Sequence, residues 1–556
     1  MRPGLSKRLL VLLTLSLLVV GACSTGQSST QTGSSPSGAK KGGTMVVGIV
    51  GDIARTDPAF TNDTNSWYVE RQVMQGLVGL APGSTTKVAP VLAQSWTVST
   101  DGKTYDFKLR QGVKFHDGTP FDADAVKYNY DRWKSLPAQL QSFAYYYGQV
   151  FAGFVGDSNI VSVDVKGSNE VTFQLKQPQS NFLIAQTQSP FALSSPAALK
   201  KGDADNTTPS KSPYQQGGNP AMVGTGPFKF KEWVPGDHVT VVRNADYWDQ
   251  VHAALLDTIV FKPITNQSSM LNALQSGGID FAETIQPPDL KLVQASSKLK
   301  VIDRGQSCTI SVLDMNLTHP PLDNKNIRMA VAYALNRQSY VDSFFGGSKF
   351  AKPADNWMPV AAVDAMPLGL PTYNQAMAKQ LIQQSGVANP TIDFWYPSSV
   401  TRPYMPDPKG EFQAISDDLT AAGFKINPHT EIWRPNYVDD AGVGKFAMWL
   451  LGWTCDWNAP DNFLQTAFFG YVNGQPNPEY GYRNDALNST MNQALAAPTA
   501  DQAKSQWQQA QQMIKADLPT IPLMESNAPG VEQSYVEGFV GNGSLTEYFN
   551  TVWLNK

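Results

Sequence analysis

A carboxylate set among aromatic side chains is the most chemically informative feature of the sequence. Asp456 lies between Trp453 and Trp457, and Arg402 precedes this segment by about fifty residues, in Thr-Arg-Pro-Tyr. A carboxylate that loses part of its water is costly to bury unless a cation offsets its charge. A guanidinium offers a planar fork that binds a carboxylate through two parallel hydrogen bonds, which Lys cannot do. Asp456 and Arg402 therefore suit a zwitterion that is held by both ends.

Less specific roles for these residues stay open. Asp456 could instead cap the loop Asp-Trp-Asn-Ala-Pro, and Arg402 could form a surface salt bridge with one of the Asp residues near it. Asp461 competes with Asp456 for the ligand, although its place in Pro-Asp-Asn favours the organisation of a turn. Trp395 and the Trp residues beside Asp456 could line a pocket, although most Trp residues of a chain that has 13 are core residues.

The histidines and the motifs of known enzymes give no sign of catalysis. The five His residues are scattered without the spacing of metal ligands, so we expect no dedicated metal site. The sequence contains neither Gly-x-Ser-x-Gly nor His-Glu-x-x-His, and no motif pairs a nucleophile with a base. These observations predict a binding protein that needs no cofactor, rather than an enzyme. The histidines are His116, His238, His252, His319 and His429.

The N-terminus predicts export and lipid anchoring. Residues 1–8 are basic, and residues 9–20 form an apolar run too short to span a bilayer, as in a secretory signal peptide. The run leads to Val-Gly-Ala-Cys23, which resembles a bacterial lipobox in which the Cys thiol carries the lipid. We predict a lipoprotein signal peptide at residues 1–22 and lipidation of Cys23; the alternative is an ordinary signal peptide with an incidental Cys. Residues 23–41, rich in Ser, Thr, Gly, Gln and Lys, predict a flexible tether.

Charge and length narrow the class of protein. The chain has 43 Lys and Arg against 47 Asp and Glu, a net charge of -4. The predicted leader contains Arg2, Lys7 and Arg8, so its removal would bring the net charge to -7 (-4 minus 3). A mixed, acidic surface argues against nucleic acid as a partner. More than five hundred residues follow the tether, which is enough for two or three domains with their own cores.

The first part of the predicted body combines turn signals with alternating hydrophobic residues. Asp101-Gly102 predicts a hairpin turn. Tyr105, Phe107 and Leu109 alternate with polar residues, as in a half-buried strand. A helix is predicted over residues 122–133.

Further elements are predicted along the chain. The β-branched run 44–50 predicts a buried strand, and Pro235-Gly236 separates the two strands of a hairpin. Helices are predicted to begin near Asn324 and after Thr499, which opens the capping box Thr-Ala-Asp-Gln. The segment 200–219, rich in Lys, Asp, Ser, Gly and Gln, is predicted to be an exposed loop.

Several of these segments resemble one protein family. The runs 91–121, 224–248 and 316–337, together with Thr-Arg-Pro-Tyr and Gly-Trp-Thr-Cys-Asp-Trp, are similar to family 5 of the ABC-transporter solute-binding proteins, the peptide/nickel-binding family. The resemblance is strongest to bacterial dipeptide-binding lipoproteins and extends over nearly the whole chain after the tether. It implies an α/β, two-lobed periplasmic-binding-protein fold of the large three-domain peptide-binding type, class II or cluster C.

The resemblance also implies a division into domains. Domain I would be discontinuous, over residues 42–80, 218–305 and 530–556. Domain II would cover residues 81–217 and domain III residues 306–529. Two lobes joined by crossover segments would close over a ligand in the cleft between them.

The family resemblance assigns roles to the candidate site residues. It implies that Asp456 holds the α-ammonium of a peptide and that Arg402 holds its α-carboxylate. The distance between these two residues would then limit the ligand to di- and tripeptides. Trp453, Thr454 and Trp457 complete the expected ligand-binding set.

Relatives in this family also carry a disulfide beside the matching acid. Cys308 and Cys455 are the two cysteines left over for each other once Cys23 carries the lipid. In an exported protein such a pair more often forms a disulfide than stays reduced. Two buried free thiols are the alternative.

The sequence therefore predicts a lipid-anchored receptor outside the cytoplasm that binds a short peptide. It would act as a monomer and present its ligand to the transmembrane subunits of an ABC permease with cytoplasmic ATPases. The same fold could instead bind a nickel chelate, an oligosaccharide or a longer oligopeptide. A secreted hydrolase is a further alternative for which the sequence offers no catalytic group.

Overall fold

The computed structural model describes residues 38–556. The predicted signal peptide, the lipidation site Cys23 and most of the predicted tether lie outside the described residues. Within residues 38–556, no helix combines the length and the apolar character needed to cross a bilayer.

Strands and helices alternate along the described chain. The strands are β1 (Thr44–Ile49), β2 (Val78–Leu80), β3 (Val88–Pro90), β4 (Ala93–Val98), β5 (Thr104–Leu109), β6 (Ile160–Gly167), β7 (Glu170–Leu175), β8 (Phe228–Val234), β9 (His238–Arg243), β10 (Thr258–Pro263), β11 (Phe281–Ala282), β12 (Leu299–Ile302), β13 (Thr309–Met315), β14 (Ala351–Pro353), β15 (Thr391–Ser398), β16 (Lys425–Ile432), β17 (Met448–Thr454), β18 (Ile521–Ser526), β19 (Gly530–Gln533), β20 (Val536–Glu537) and β21 (Trp553–Leu554). The helices are α1 (Thr64–Val73), α2 (Ala123–Lys134), α3 (Ala138–Gln141), α4 (Tyr145–Val150), α5 (Phe182–Ala185), α6 (Pro196–Lys201), α7 (Gln267–Ser276), α8 (Leu290–Gln294), α9 (Lys325–Ala334), α10 (Arg337–Phe344), α11 (Gln375–Ser385), α12 (Pro408–Ala422), α13 (Val438–Gly442), α14 (Asp485–Leu495) and α15 (Ala500–Asp517).

A seven-stranded sheet has the order β12-β19-β11-β1-β10-β9-β8. Its central strand β1 is parallel to both neighbours, β10 and β11. Met45, Val47 and Ile49 of β1 are fully buried on one face of the sheet, which confirms the predicted strand. The hairpin β8-β9 turns at Gly236, whose φ of 77° lies in the left-handed region that glycine tolerates.

A four-stranded antiparallel sheet has the order β4-β5-β7-β6. Tyr105, Phe107 and Leu109 of β5 are buried, as their alternation with polar residues predicts. Helix α2 packs in the same part of the molecule, and Asp122 caps it by accepting a hydrogen bond from the backbone N–H of Ala125 at 3.0 Å. Both the strand and the helix were therefore predictable from local sequence.

A six-stranded sheet has the order β14-β18-β13-β17-β15-β16. The strands β15, β16 and β17 are parallel to one another, whereas β13 is antiparallel to β17 and β18. Every residue of β13 is buried. The carboxyl ends of the three parallel strands therefore meet at one edge of this sheet.

The helices predicted near Asn324 and Thr499 are confirmed beside this sheet. Asn324 caps α9, and Thr499 caps α15 by accepting a hydrogen bond from the backbone N–H of Gln502 at 3.3 Å. Trp507 and Ile514 of α15 are buried, as predicted.

The prediction that residues 200–219 form an exposed loop is wrong in part. Ser212, Tyr214 and Gln215 are fully buried. The Gln215 side chain donates a hydrogen bond to the carbonyl of Ala204 at 2.7 Å. Polar residues reach the interior here because other parts of the chain satisfy their hydrogen bonds, and composition alone does not reveal such partners.

Two connections join the seven-stranded and six-stranded sheets side by side. One runs from β12 to β13 and the other from β18 to β19. Arg304 in the first connection donates from Nη1 to the carbonyl of Ala528 in the second at 2.6 Å, and from Nε to the carboxylate of Glu547 at 2.7 Å. The hydrogen bond to Ala528 joins the two connections, and the buried ion pair with Glu547 holds Arg304 in place.

We predict that the covalent link between the cysteines of the six-stranded sheet contributes strongly to its stability. Cys308 and Cys455 form a disulfide that closes a loop of 147 residues. In the chain-entropy model, a disulfide that closes a loop of this length raises the free energy of unfolding by about 5 kcal/mol. The double variant Cys308→Ser, Cys455→Ser should therefore unfold at clearly lower urea concentration than the wild type.

The matched control is the wild-type protein under reducing conditions. Reductant should bring the wild type close to the double variant and leave the double variant unchanged. Equal urea midpoints for the oxidised wild type and the double variant would contradict the stabilising role of the bridge.

Candidate functional site

The parallel edge of the six-stranded sheet brings together residues from three strands. Arg402 follows the end of β15, Trp433 follows β16 directly, and Asp456 lies two residues beyond β17. In sheets with parallel strands, ligands bind in the crevice outside the carboxyl ends. The topology therefore places the predicted anion and cation at one edge, although 54 positions separate them in the sequence (456 minus 402).

Asp456 is held by uncharged partners. Its Oδ1 accepts a hydrogen bond from the hydroxyl of Tyr146 at 2.7 Å, and its Oδ2 accepts one from Nδ2 of Asn462 at 3.0 Å. The backbone N–H of Asp456 donates back to Oδ1 of Asn462 at 3.0 Å. The Asn462 side chain thus orients Asp456 through both its carboxylate and its backbone N–H.

The electrostatic state of Asp456 follows from this environment. Its exposed fraction is 6%. Burial raises its pKa to about 6, against the hydrogen bonds from Tyr146 and Asn462, which lower it. Among residues 38–556, Asp456 takes part in no ion pair. The charged form of this carboxylate therefore lacks the cation that would stabilise it.

Asp461 lies in a similar environment with different partners. Its Oδ2 accepts hydrogen bonds from Nδ2 of Asn181 at 2.6 Å and from Nε1 of Trp457 at 2.8 Å. Burial also raises its pKa to about 6. Asp461 links the segment after β17 to the part of the molecule that contains the four-stranded sheet.

The three remaining candidates of this segment differ in burial. Trp457 is 2% exposed and packs within the hydrophobic cluster of the four-stranded sheet. Trp453 is half-buried, and its Nε1 donates to Asn462 Oδ1 at 2.9 Å. Thr454, also half-buried, exchanges a hydroxyl hydrogen bond with Thr309 at 3.1 Å. Trp453 and Thr454 thus retain open surface near Asp456, whereas Trp457 anchors the segment in a core.

Arg402 presents donors that have no acceptor. Its guanidinium lies over the ring of Trp433, with 4.6 Å from Cζ to the ring centre. Arg402 Nε and Trp433 Nε1 are both buried without a hydrogen-bond partner among the described residues. No ion pair of residues 38–556 includes Arg402. This arrangement suits an incoming carboxylate, which accepts several N–H bonds.

Packing fixes the position of the Arg402 segment. Arg402 and Met405 exchange backbone hydrogen bonds at 3.0 and 2.9 Å. The Pro403 carbonyl accepts a hydrogen bond from the hydroxyl of Ser526 at 3.0 Å. The ring of Tyr404 lies against Gly452 of β17, where an added Cβ would come within 2.7 Å of the ring. The Arg402 segment therefore packs against β17, the strand that precedes Asp456.

The disulfide lies at the base of this arrangement. Cys308 and Cys455 have Cα atoms 5.4 Å apart, and the Cys455 N–H donates to the Cys308 carbonyl at 2.8 Å. Because Cys455 precedes Asp456, the bridge restrains the backbone of the buried carboxylate. Among the described residues, no group of three or more His, Cys, Asp or Glu is placed to hold a metal ion.

Sequence reasoning missed the residues that reach Asp456, Asp461 and Arg402 from elsewhere. Tyr146 and Asn181 come from the part of the chain around the four-stranded sheet, and Trp433 comes from the segment directly after β16. The run Tyr-Tyr-Tyr at 145–147 is the one local signal that singles out Tyr146. Nothing local indicates that it meets a carboxylate 310 positions away.

Comparison with known proteins gives consistent matches over most of the chain. A sequence model described as bacterial extracellular solute-binding proteins, family 5 Middle, matches residues 87–475. The glutathione-binding protein GsiB of Salmonella typhimurium is 29% identical over 501 residues, which cover 89% of this chain and 91% of GsiB.

Solved structures share the fold. HbpA2 of Haemophilus parasuis superposes with a TM-score of 0.77 at 25% identity, over 92% of this chain and 100% of HbpA2. A dipeptide-binding protein of a Pseudoalteromonas species, solved in complex with Met-Leu, superposes with a TM-score of 0.76 at 22% identity, over 92% of this chain and 100% of its own.

We predict that Asp456 makes the stability of the protein depend on pH. Its pKa of about 6 in the folded protein exceeds the value of about 3.9 in an unfolded chain. The folded state thus binds this proton more tightly, so stability falls as pH rises from about 4 to 6, by about 3 kcal/mol in total. Asp456→Asn cannot titrate. The free energy of unfolding of the variant relative to wild type should therefore rise across this range.

Urea unfolding at a series of pH values measures this difference. The control is Asp246→Asn, because the Asp246 side chain is 91% exposed and its difference from wild type should stay nearly constant. A pH-independent difference for Asp456→Asn would show that the folded protein does not hold this carboxyl at a raised pKa.

Proposed function

The chain belongs to the bacterial extracellular solute-binding proteins of family 5, and we propose that it binds di- or tripeptides by both termini. Its fold is the two-lobed α/β periplasmic-binding fold that the sequence predicts. Members of this family serve ABC transporters outside the cytoplasm and are not enzymes. The finer proposal concerns which ligand is bound and how.

One observation supports the proposal above all others. A buried carboxylate without a cation and a guanidinium without an anion stand at the same edge of one sheet. A zwitterionic peptide supplies both missing charges, since its ammonium would pair with Asp456 and its carboxylate with Arg402. Trp433 Nε1 adds a further donor for the carboxylate.

The fixed spacing of the two charges favours short ligands. Both residues are mounted on the same sheet and restrained by the disulfide and by the packing of Tyr404 on Gly452. We propose, as the family resemblance implies, that a di- or tripeptide satisfies both charges and that a longer chain leaves one unmatched. The names of GsiB as a glutathione-binding protein and of the Pseudoalteromonas protein as a dipeptide-binding protein agree with this size.

A longer oligopeptide is the second candidate. A groove of about 650 Å³ runs past the Arg402 segment between Asn266 at the start of α7 and the chain from Tyr396 to Thr401. A peptide that is not held by its C-terminus could extend into this groove. A nickel chelate or an oligosaccharide has no comparable feature in its favour among the described residues.

The domain division and the membrane anchor belong to the same proposal. Strands of the seven-stranded sheet fall within 42–80, 218–305 and 530–556, those of the four-stranded sheet within 81–217, and those of the six-stranded sheet within 306–529. We assign these ranges to domains I, II and III. Lipid on Cys23 would tether the monomeric receptor to the outer face of the membrane, where it delivers peptide to the permease.

Calorimetric titration with one dipeptide in free, N-acetylated and C-amidated forms tests the two-ended grip. The free dipeptide should bind with a Kd in the micromolar range, about -8 kcal/mol. Each blocked form should bind at least about 30-fold more weakly, because a buried charge then loses its partner at a cost of about 2 kcal/mol or more.

Variants assign each end of the ligand. Asp456→Asn should weaken the binding of the free dipeptide and remove most of the affinity difference between the free and N-acetylated forms. Arg402→Gln should likewise weaken binding and remove most of the difference between the free and C-amidated forms. Asp461→Asn and Arg434→Gln are matched controls that change the same charges nearby and should leave both differences in place. Equal affinity for free and blocked dipeptides would overturn the proposed grip, and tight binding of longer blocked peptides would favour the second candidate.

A further inference from the structure

A separate cavity lies away from the edge that carries Arg402 and Asp456. Its volume is about 360 Å³, within the range of about 300–1,000 Å³ that ligand-binding cavities occupy. One wall consists of α1 with the chain from Val540 to Thr551, and another consists of the loops around β2 and β3. No lining residue belongs to the six-stranded sheet, so the cavity is distinct from the proposed peptide site.

A guanidinium with free donors stands in one wall. Arg110 lies over the ring of Trp248, with 4.8 Å from Cζ to the ring centre. Its Nε donates to the carbonyl of Val91 at 2.6 Å, and its Nη atoms make no hydrogen bond to residues 38–556. Trp248 is itself held, because its Nε1 donates to Oε1 of Gln75 at 2.9 Å. Arg110 is therefore oriented on a fixed indole with its two outer nitrogens unused.

The remaining charges of the lining leave the cavity positive. Arg71 donates from Nη1 to the carbonyl of Leu545 at 2.9 Å, and neither Arg71 nor Arg110 takes part in an ion pair within the described residues. The carboxylate of Asp249 opposes these two cations and lies within hydrogen-bond distance of His252 Nδ1, at 2.8 Å. Burial raises the pKa of Glu70 well above its usual value, which favours its neutral form.

The rest of the lining combines apolar walls with uncharged polar side chains such as Gln75, Gln188 and Asn542. Met74, Val78, Leu80 and Pro227 contribute side chains to the walls, and Val540 lies at the opening with 47% of its surface exposed. Apolar walls with a few oriented polar groups are typical of small-molecule sites. An apolar body would fill the space, and an anionic group would satisfy the guanidinium donors.

We propose that this cavity is a second binding site, which takes a small organic carboxylate with an apolar body. The site is separate from the proposed peptide site, since the two share no residue. The Arg110 guanidinium holds the carboxylate, and the walls formed by Met74, Val78 and Leu80 hold the body.

The test compares 1-naphthoate with the uncharged 1-naphthamide by calorimetry and by ligand-observed saturation-transfer NMR on the purified protein. Naphthoate should bind, and naphthamide should bind about tenfold more weakly, because it lacks the charge-assisted hydrogen bonds. In Arg110→Gln, whose amide can still donate to the Val91 carbonyl, the two probes should bind alike. Val540→Trp should block the opening and abolish binding of both.

Two controls make the outcomes decisive. Thermal unfolding should show that both variants keep the wild-type melting temperature within a few degrees, since Arg110 and Val540 are not core residues. Asp456→Asn should leave naphthoate binding unchanged. The proposal is overturned if naphthoate fails to bind at millimolar concentration, if both probes bind the wild type equally, or if a saturating dipeptide displaces naphthoate.

Discussion

The burial of one unpaired carboxylate is the constraint on which the site depends. Asp456 is enclosed by Tyr146 and Asn462 without a cation among the described residues. A buried carboxylate in this state is costly, and two neutral hydrogen bonds offset only part of the cost. The fold can maintain it because the disulfide holds the backbone just before Asp456 and Asn462 holds the turn just after it. The site is therefore rigid around an unsatisfied charge.

The burial of Asp456 also depends on how the two lobes of the molecule pack against each other. Tyr146 and Asn181 reach the segment after β17 from the side of the four-stranded sheet. Contact between the lobes thus removes water from Asp456. In the absence of a ligand, this desolvation of the carboxylate destabilises the closed arrangement. Under the proposed function, a ligand ammonium would stabilise the closed arrangement selectively, which is the differential interaction that a population shift requires.

The sequence was informative where a structure depends on local pattern. The strand containing Phe107 and the helix capped by Asp122 follow from alternation and from capping chemistry, which act within a few residues. The pair of Asp456 and Arg402 is predictable because the short motifs around them resemble those of the family. Tyr146, Asn181 and Trp433 were not predictable, since their roles depend on contacts between distant segments. The buried Tyr214 was missed for the same reason, because polar composition says nothing about partners that come from elsewhere in the chain.

The arginines of this chain fall into two groups, those that stabilise the fold and those that are available to bind an anion. Arg304 uses its donors on Glu547 and on the backbone carbonyls of Ala528 and Glu283. Such a residue is satisfied by the fold and has little left for a ligand. Arg402 and Arg110 instead lie over indole rings, with 4.6 and 4.8 Å from Cζ to the ring centre, and keep N–H groups that have no acceptor among the described residues. A stacked ring fixes a guanidinium without occupying its N–H groups, so this combination prepares a cation for an anion that the protein does not contain. Sequence cannot separate the two classes, because the difference lies in which surfaces the three-dimensional structure brings against each arginine.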